Sequence, residues 1–397
     1  MSRKFLIPLA LVLTLLLAAC GAVPANSWPG LSVMGDRAYI AFNTHVYAVN
    51  LADGSEVSRF PAAGVNLGEL FFSDPGVSQD VIVVGSEGPA ASYSGALFGL
   101  DPNNLNTVKW CLVFDQKAQQ RLSTFNCKAT PDATQSIIFG IAPAVDNRLI
   151  GGIALVDGVA YFGMANNKVY AVNAATGEYK WRFDQATHPV WAAPLVDDGT
   201  VYVASLDHTL YALSSADGSV KWQKDLGSSL AGTPALANGT LYIGTFGNEV
   251  YALDAATGNA KWSQPFKAMN WVWGGPTMAE GVVYVSDLGG GVFALEAATG
   301  AQQWKTVLPA PVRASPAVSG GVVFIGDKDG VFHRLNAQTG AEISKPEIPG
   351  DNKGQLLNMP VIVPDRDLVL VATYQGTNLL NAYDLNGNFK WPFAPTQ

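Results

Sequence analysis

The chain has 397 residues, of which only 14% are charged, and its net charge is −8. No basic patch accompanies this acidic balance, which argues against a nucleic acid as partner. The 41 glycines and 23 prolines predict many turns and few helices, as expected for an exported all-β protein.

The first twenty residues differ from the rest of the chain. Two basic residues precede an apolar stretch that ends at Leu17 and is too short to span a bilayer. The segment Leu17-Ala18-Ala19-Cys20-Gly21 is similar to a bacterial lipobox, which predicts cleavage before Cys20 and acylation of that cysteine; an ordinary signal peptide cut nearby is the alternative. We therefore expect residues 1–19 to be a lipoprotein signal peptide and residues 20–27 a lipidated tether, because several acyl chains hold a protein stably on a membrane.

Beyond the tether the sequence repeats with a period of about 40 residues, and eight units can be aligned. The clearest copies are VYAVNAATGEYKW around Gly177, LYALSSADGSVKW around Gly218, VYALDAATGNAKW around Gly258 and VFALEAATGAQQW around Gly300. Within each unit four apolar runs of strand length are separated by turn dipeptides such as Asp198-Gly199. The sequence thus predicts that residues 28–397 form a single all-β domain, an eight-bladed β-propeller of four-stranded antiparallel blades.

Six tryptophans fall at one position of the repeated unit. We expect their large rings to dock each blade on the next rather than to form a binding site. They are Trp110, Trp181, Trp222, Trp262, Trp304 and Trp391.

Two cysteines remain once Cys20 is assigned to the lipid. Cys111 ends the second unit, and Cys127 lies in an insertion at about residues 115–145 that makes this unit longer than one period. In an oxidising compartment we expect a Cys111–Cys127 disulfide that pins the insertion to its blade, with two buried free thiols as the alternative.

The repeated pattern apolar-Tyr-Ala-Leu-Asp-Ala-Ala-Thr-Gly-x-x-x-Trp resembles the pyrroloquinoline-quinone (PQQ) repeat, from about residue 28 to the end of the chain. Two groups share this repeat. Quinoprotein dehydrogenases bind PQQ and calcium in the channel of an eight-bladed propeller, whereas the BamB-type lipoproteins of the outer-membrane β-barrel assembly machinery are non-catalytic scaffolds. Length, lipobox and blade number are similar to the second group, and the chain lacks the adjacent cysteine pair of the dehydrogenases.

Candidate catalytic groups are scarce. The four histidines fall in different units without metal-type spacing, and a lone histidine on a loop is usually solvated. They are His45, His188, His208 and His333. Glu280 and Asp287 are out of register with the innermost strands, where Asn358 is the only polar amide, so we expect neither a metal site nor catalytic residues.

The units diverge just before the proline that opens each innermost strand. Because these segments lead into the channel, we expect Trp191, Trp271, Trp273 and Arg313 to cluster at one channel mouth. Tryptophan and arginine are enriched at interaction hot spots, which favours a partner-binding site. The alternative is that the rings merely fill a wide channel.

Taken with the resemblance, these observations predict a monomeric, non-catalytic scaffold, lipid-anchored to the cell envelope on the outer membrane or the outer face of the cytoplasmic membrane. The resemblance implies envelope proteins as partners, including the β-barrel assembly machinery, bound at a channel mouth or by strand pairing at a blade edge. Two alternatives stay open: a PQQ-dependent oxidoreductase with calcium, in which Arg313 and the tryptophans would hold the quinone, and a propeller that binds a glycan or another small ligand.

Overall fold

The computed structural model describes residues 28–88, 94–130 and 146–396. The predicted signal peptide, Cys20 and the tether lie outside these residues, as does the second half of the predicted insertion. Among the helices of the described part, none has the length and apolar character needed to cross a membrane.

The described residues form eight sheets, each built from consecutive strands in the order in which they occur along the chain. All neighbouring strands are antiparallel except for a short fifth strand of blade 2, which pairs in parallel with the strand before it. The predicted eight-bladed β-propeller is therefore confirmed, with blade 2 carrying one strand more than expected.

The strands of the first four blades are β1 (Gly30–Met34), β2 (Arg37–Phe42), β3 (His45–Asn50) and β4 (Glu56–Phe60) in blade 1; β5 (Gly76–Val77), β6 (Ile82–Gly85), β7 (Ala96–Asp101), β8 (Asn104–Val113) and β9 (Lys128–Ala129) in blade 2; β10 (Ala154–Val156), β11 (Val159–Gly163), β12 (Val169–Asn173) and β13 (Tyr179–Phe183) in blade 3; and β14 (Leu195–Asp197), β15 (Thr200–Ala204), β16 (Thr209–Ser214) and β17 (Val220–Asp225) in blade 4.

The strands of the other four blades are β18 (Ala235–Ala237), β19 (Thr240–Gly244), β20 (Glu249–Asp254) and β21 (Phe266–Lys267) in blade 5; β22 (Thr277–Ala279), β23 (Val282–Ser286), β24 (Gly291–Glu296) and β25 (Gln302–Val307) in blade 6; β26 (Ala317–Ser319), β27 (Val322–Gly326), β28 (Phe332–Asn336) and β29 (Glu342–Ser344) in blade 7; and β30 (Val361–Val363), β31 (Leu368–Ala372), β32 (Leu380–Tyr383) and β33 (Phe389–Phe393) in blade 8. A single α-helix, α1 (Gln116–Arg121), and two short 3-10 turns, Ser123–Phe125 and Pro364–Arg366, complete the described elements.

Apolar residues cover both faces of a blade because each blade packs between two others. In β15 the side chains alternate: Val201 and Val203 join the core shared with blade 3, whereas Tyr202 and Ala204 join the core shared with blade 5. This arrangement explains why the strands read as almost continuously apolar runs.

The hairpins between the first two strands of a blade have the geometry that their sequences predict. In blade 4, Asp198 and Gly199 both have positive φ, at 40° and 67°, and Asn238 and Gly239 repeat the arrangement in blade 5. Two successive residues with positive φ match the right-handed twist of the flanking strands, which is why Asp-Gly and Asn-Gly recur here.

The ring closes without exchange of strands between the ends of the chain. Blade 1 and blade 8 are each built from one continuous segment, and β1 contacts β30 just as it contacts β5 on its other side. Leu31 of β1 and Leu370 of β31 belong to one buried cluster that joins the two blades.

The six repeated tryptophans dock the blades as predicted. Each indole N–H donates a hydrogen bond of 2.8–3.1 Å to a backbone carbonyl of the next blade, from Trp110 to Ala174 around to Trp391, which bonds Leu51 of blade 1. The ring also covers the turn glycine of that next blade. A Cβ atom added to Gly258, for example, would lie 2.7 Å from the Trp222 ring.

Blade 7 has no tryptophan at this position and uses an arginine instead. Arg334, on β28, donates a hydrogen bond of 2.9 Å from Nη2 to the Leu385 carbonyl of blade 8. Its side chain covers Gly387, whose added Cβ would lie 2.8 Å from Arg334 Cδ. The Arg334 side chain thus supplies the hydrogen-bond donor and, together with Pro346, the cover over the glycine that an indole supplies elsewhere.

Blade 1 also lacks the tryptophan, and the insertion of blade 2 compensates for it. Phe125, from the insertion, packs against Phe60 of blade 1 and Phe98 of blade 2, with ring centroids 6.0 and 6.1 Å away. Arg121 of α1 forms an ion pair with the buried Glu69. The insertion therefore seals the first interface of the ring.

The expected disulfide is present between Cys111 on β8 and Cys127 in the insertion, with their Cα atoms 4.7 Å apart. Both cysteines belong to the buried cluster that joins blades 1 and 2. The bond therefore fixes the insertion to the interface that it seals.

The glycine beneath each tryptophan can be tested with a matched pair of substitutions. Gly258→Ala and Gly239→Ala both place a side chain at a φ near +70°, but only Gly258 faces an indole ring, whereas a Cβ atom added to Gly239 would have no atom within 4 Å apart from its chain neighbours. We expect each to lose about 1–2 kcal/mol from the backbone conformation, and Gly258→Ala to lose about 1–3 kcal/mol more from overcrowding. Urea unfolding midpoints measure the difference; equal losses would show that the ring does not depend on the glycine.

The disulfide can be tested by removing both sulfurs. We expect the double variant Cys111→Ala/Cys127→Ala to lose about 3 kcal/mol of unfolding free energy, since a loop of this size is no longer closed in the unfolded chain. The reduced unaltered protein serves as the control and should show a similar loss. Two free thiols in the mass spectrum of the non-reduced protein would contradict the assignment.

Candidate functional site

Five segments of similar geometry lead into the innermost strands on one face of the propeller. We call them the mouth segments; they end at Pro194, Pro234, Pro276, Pro316 and Pro360. The residue four positions before each proline is fully or almost fully buried and anchors the segment between blades. These anchors are Val190, Leu230, Val272, Val312 and Leu356.

The anchors are held by the backbone of the neighbouring blade as well as by packing. The Val272 N–H donates to the Thr245 carbonyl at 3.1 Å, and the Val312 N–H donates to the Asp287 carbonyl at 3.2 Å. Gly244 makes room for Val272, because a Cβ atom there would lie 2.1 Å from Val272 Cγ1. The residue after each anchor is free of these packing requirements.

The residues after the anchors lie around a cavity of about 550 Å³ at the channel mouth. Trp191, Trp273 and Arg313 occupy this position in their segments, and all three line the cavity. Trp28, Asp74 and Asn358 line it as well, from the segments that precede blades 1, 2 and 8.

Arg313 stacks on two indole rings. Its Cζ atom lies 3.9 Å from the centroid of the Trp28 ring and 4.2 Å from that of Trp273. Such contacts are favourable for a partly desolvated cation. They occupy the faces of the guanidinium and leave its N–H groups at the edges.

No described residue accepts a hydrogen bond from Arg313 or forms an ion pair with it, and its buried Nη2 atom lacks a partner. Burial lowers the pKa of Arg313 to about 10, so that the group still carries its charge at neutral pH. The cavity therefore contains a cation whose charge no carboxylate of the described residues compensates.

An aromatic stack runs from the cavity to the outer surface. The rings of Trp191 and Trp273 are stacked with centroids 6.3 Å apart. Phe246 lies 4.9 Å from Trp273 and 5.0 Å from Trp271, whose ring is almost parallel to it. Trp271 is 47% exposed, so the stack ends at the solvent.

Small residues in the intervening mouth segment make this stack possible. Ala231 takes the position that Trp191 and Trp273 occupy in their own segments, and it is followed by Gly232. A Cβ atom on Gly232 would lie 2.9 Å from the Trp273 carbonyl oxygen. The two indoles therefore meet across Ala231 and Gly232, the two smallest residues of that segment.

Of the four residues predicted to cluster, the structure brings Trp191, Trp273 and Arg313 together around the cavity and places Trp271 beside it, linked through Phe246. Trp28 was not among the predicted residues. The sequence does indicate a position at the mouth for Trp28, because this residue directly precedes Pro29 at the start of an innermost strand. No periodic feature singled out Phe246, which lies in a hairpin.

Several other polar atoms at the mouth also lack described partners. They include Trp191 Nε1 and Asn358 Oδ1, although Asn358 Nδ2 donates to the Pro29 carbonyl at 2.5 Å. Asp74 accepts a hydrogen bond of 2.9 Å from the Leu31 N–H, and burial raises the pKa of its carboxyl to about 6.

These groups do not suit a calcium ion. Calcium takes six to eight oxygen ligands, and Asp74 is the one carboxylate among the described residues that line the cavity. Asp287 instead accepts hydrogen bonds from the Met269 and Asn270 N–H groups, while Glu280 lies in a hairpin turn with positive φ. A search of the described ranges finds no cluster of three metal-binding side chains.

The histidines remain dispersed, but His333 differs from the expectation of a solvated loop residue. It is fully buried on β28, with Nδ1 2.7 Å from Glu342 and Nε2 3.1 Å from Asp327. It takes the place of the tyrosine found in blades 3 to 5, for example Tyr211, whose hydroxyl bonds Asp207 at 2.8 Å. His333 therefore has a structural environment within its blade.

The fold has solved relatives of low sequence identity. BamB from Moraxella catarrhalis is 18% identical over 89% of this chain and 96% of its own, with a TM-score of 0.66. The computationally designed Ika8 protein is 12% identical over 90% and 96%, with a TM-score of 0.68. Quinohemoprotein alcohol dehydrogenase from Comamonas testosteroni is 13% identical over 92% and 75%, with a TM-score of 0.66.

At these identities the structural matches show a shared propeller fold, and among curated protein sequences none matches the chain. The family comparison is more specific. The family described as outer membrane protein assembly factor BamB matches residues 110–271 and 268–392, which together make up most of the chain. The chain therefore belongs to this family of PQQ-repeat β-propellers.

Proposed function

We propose that the protein is a non-catalytic, lipid-anchored scaffold of the cell envelope that binds protein partners at its channel mouth, with a role like that of BamB in outer-membrane protein assembly. The family match supports the assembly role. The lipobox-like sequence ending at Cys20 supports an extracytoplasmic, membrane-attached location.

The observation that carries the proposal is the aromatic stack that reaches the surface at Trp271. Trp271 and Met269 are 47% and 46% exposed on the same mouth segment, and the Trp271 ring stacks on the half-buried Phe246, which in turn contacts Trp273. Exposed aromatic and methionine side chains that are connected through stacked rings to a partly desolvated arginine are typical of an interaction hot spot.

The blade edges are less suited to partner binding than the mouth. The outermost strands of blades 4 and 6 carry Lys221, Lys224 and Lys305, and the outermost strand of blade 5 is reduced to the two residues of β21. Lysines and short edge strands discourage the pairing of a further strand. We therefore assign partner binding to the mouth.

Site-specific photo-crosslinking in intact cells tests this assignment. A photoreactive phenylalanine analogue at Trp271 should crosslink to a component of the envelope assembly machinery. The same analogue at Phe389 is the matched control, since Phe389 is also exposed, at 43%, but lies on β33 at the outer edge of blade 8. Adducts from Phe389 but not from Trp271 would indicate that partners bind at the blade edge. The absence of adducts from both positions would contradict the proposed scaffold role.

Substitutions inside the mouth should weaken partner capture without unfolding the protein. We expect Trp273→Ala and Arg313→Glu to reduce the recovered partner at least fivefold, since hot-spot truncations typically cost about 1–2 kcal/mol or more. Capture by both variants at the level of the unaltered protein would exclude these residues from the interface. Circular dichroism checks that each variant is folded.

A PQQ-dependent oxidoreductase is the second candidate, favoured by a guanidinium and stacked indoles in a propeller channel of quinoprotein type. The cavity does not provide a calcium ligand set, so we expect no calcium-dependent binding of PQQ. Titration with PQQ, with and without calcium, followed by tryptophan fluorescence, checks this. Saturable quenching in the micromolar range that requires calcium would favour the enzyme.

A further inference from the structure

Arg313 is the most unusual group of the mouth because a partly desolvated cation with a buried N–H group normally has an anionic partner. Leaving such a charge unpaired is costly. Stacking on Trp28 and Trp273 offsets part of this cost, but ring faces do not accept the N–H groups at the guanidinium edge. The described residues supply no acceptor, and the one carboxylate of the cavity, Asp74, forms no ion pair with Arg313.

The geometry of the unpaired edge of the Arg313 guanidinium indicates which kind of ligand would accept its hydrogen bonds. A guanidinium presents parallel N–H groups that match the two oxygens of a carboxylate. The Trp191 ring also lines the cavity, and an indole suits an aromatic or other planar apolar group. The cavity, at about 550 Å³, has room for a group of the size of a phenyl ring with a carboxylate.

We infer that the channel mouth is a binding site for a carboxylate borne on a planar apolar group, with the carboxylate paired to Arg313 and the apolar part against Trp191. This inference deepens the proposed function, on which it rests, by naming the chemistry of the ligand. Two sources supply this chemistry: a small aromatic acid, or the carboxyl terminus of a polypeptide whose last residue is aromatic.

Calorimetric titration of the full chain in detergent tests the inference. Phenylacetate is compared with phenylacetamide, and acetyl-Gly-Gly-Phe with its carboxamide. The members of each pair differ only in the group offered to Arg313, which is an anionic carboxylate or a neutral carboxamide. We expect each acid to bind at least tenfold more tightly than its amide, which corresponds to about 1.4 kcal/mol. Tighter binding of the peptide acid than of phenylacetate identifies a chain terminus as the ligand, and similar affinities identify a small acid.

Arg313→Gln should abolish the preference for the acid over the amide. Arg366→Gln is the matched control, because Arg366 is exposed in a 3-10 turn of blade 8 and should leave the preference unchanged. If Arg313→Gln does not fold, the comparison of acid and amide on the unaltered protein still decides the question. Equal affinities for acid and amide, or no saturation by either acid in the millimolar range, would overturn the inference.

This result is separable from that of the crosslinking experiment. If the protein binds the acids more tightly than the amides but gives no crosslinks at Trp271, the carboxylate site is supported and the partner-binding role of the mouth is contradicted. Crosslinks at Trp271 without discrimination would keep the partner-binding role and reject the carboxylate.

Discussion

The contact between a tryptophan and the turn glycine of the next blade is the interaction on which the ring depends. A blade of four short strands, apolar on both faces, is not stable alone, so neighbouring blades must be held in a fixed orientation. The indole does this with one hydrogen bond to a carbonyl and one flat contact with a residue that has no Cβ atom. Because Trp391 makes the same contact with blade 1, the ends of the chain need not exchange strands.

The two exceptions show which properties of the tryptophan matter. Arg334 replaces it in blade 7 with a hydrogen-bonding side chain that, together with Pro346, covers Gly387, so both properties are kept. Blade 1 offers only Ser58 at this position, and the missing ring area is restored by Phe125 of the insertion. The Cys111–Cys127 disulfide thus stabilises a substitute for the standard contact, which gives the insertion a structural purpose.

The fold could be predicted because propeller units are nearly independent repeats, so that local turn and strand signals recur eight times in register. The site was only partly predictable. Its position followed from the divergent segments before the prolines, and Trp191, Trp273 and Arg313 were found in this way. Trp28 was missed because it precedes the first complete unit, and Phe246 because a hairpin residue has no register with the mouth segments. His333 was misjudged because its burial depends on Asp327 and Glu342, which approach it only in the folded blade.

The mouth is where this architecture permits new chemistry. Anchors such as Val272 fix the backbone of each mouth segment through packing and a backbone hydrogen bond, so the residue that follows can change without loosening the ring. Stability alone would favour small or apolar residues at the position after each anchor, as at Ala231 and Leu357. Arg313 instead places a charge in a partly desolvated cavity, with a lowered pKa and no described acceptor. Stacking on Trp28 and Trp273 leaves the N–H groups at the guanidinium edge without acceptors, and a ligand that completes these hydrogen bonds best explains the residue.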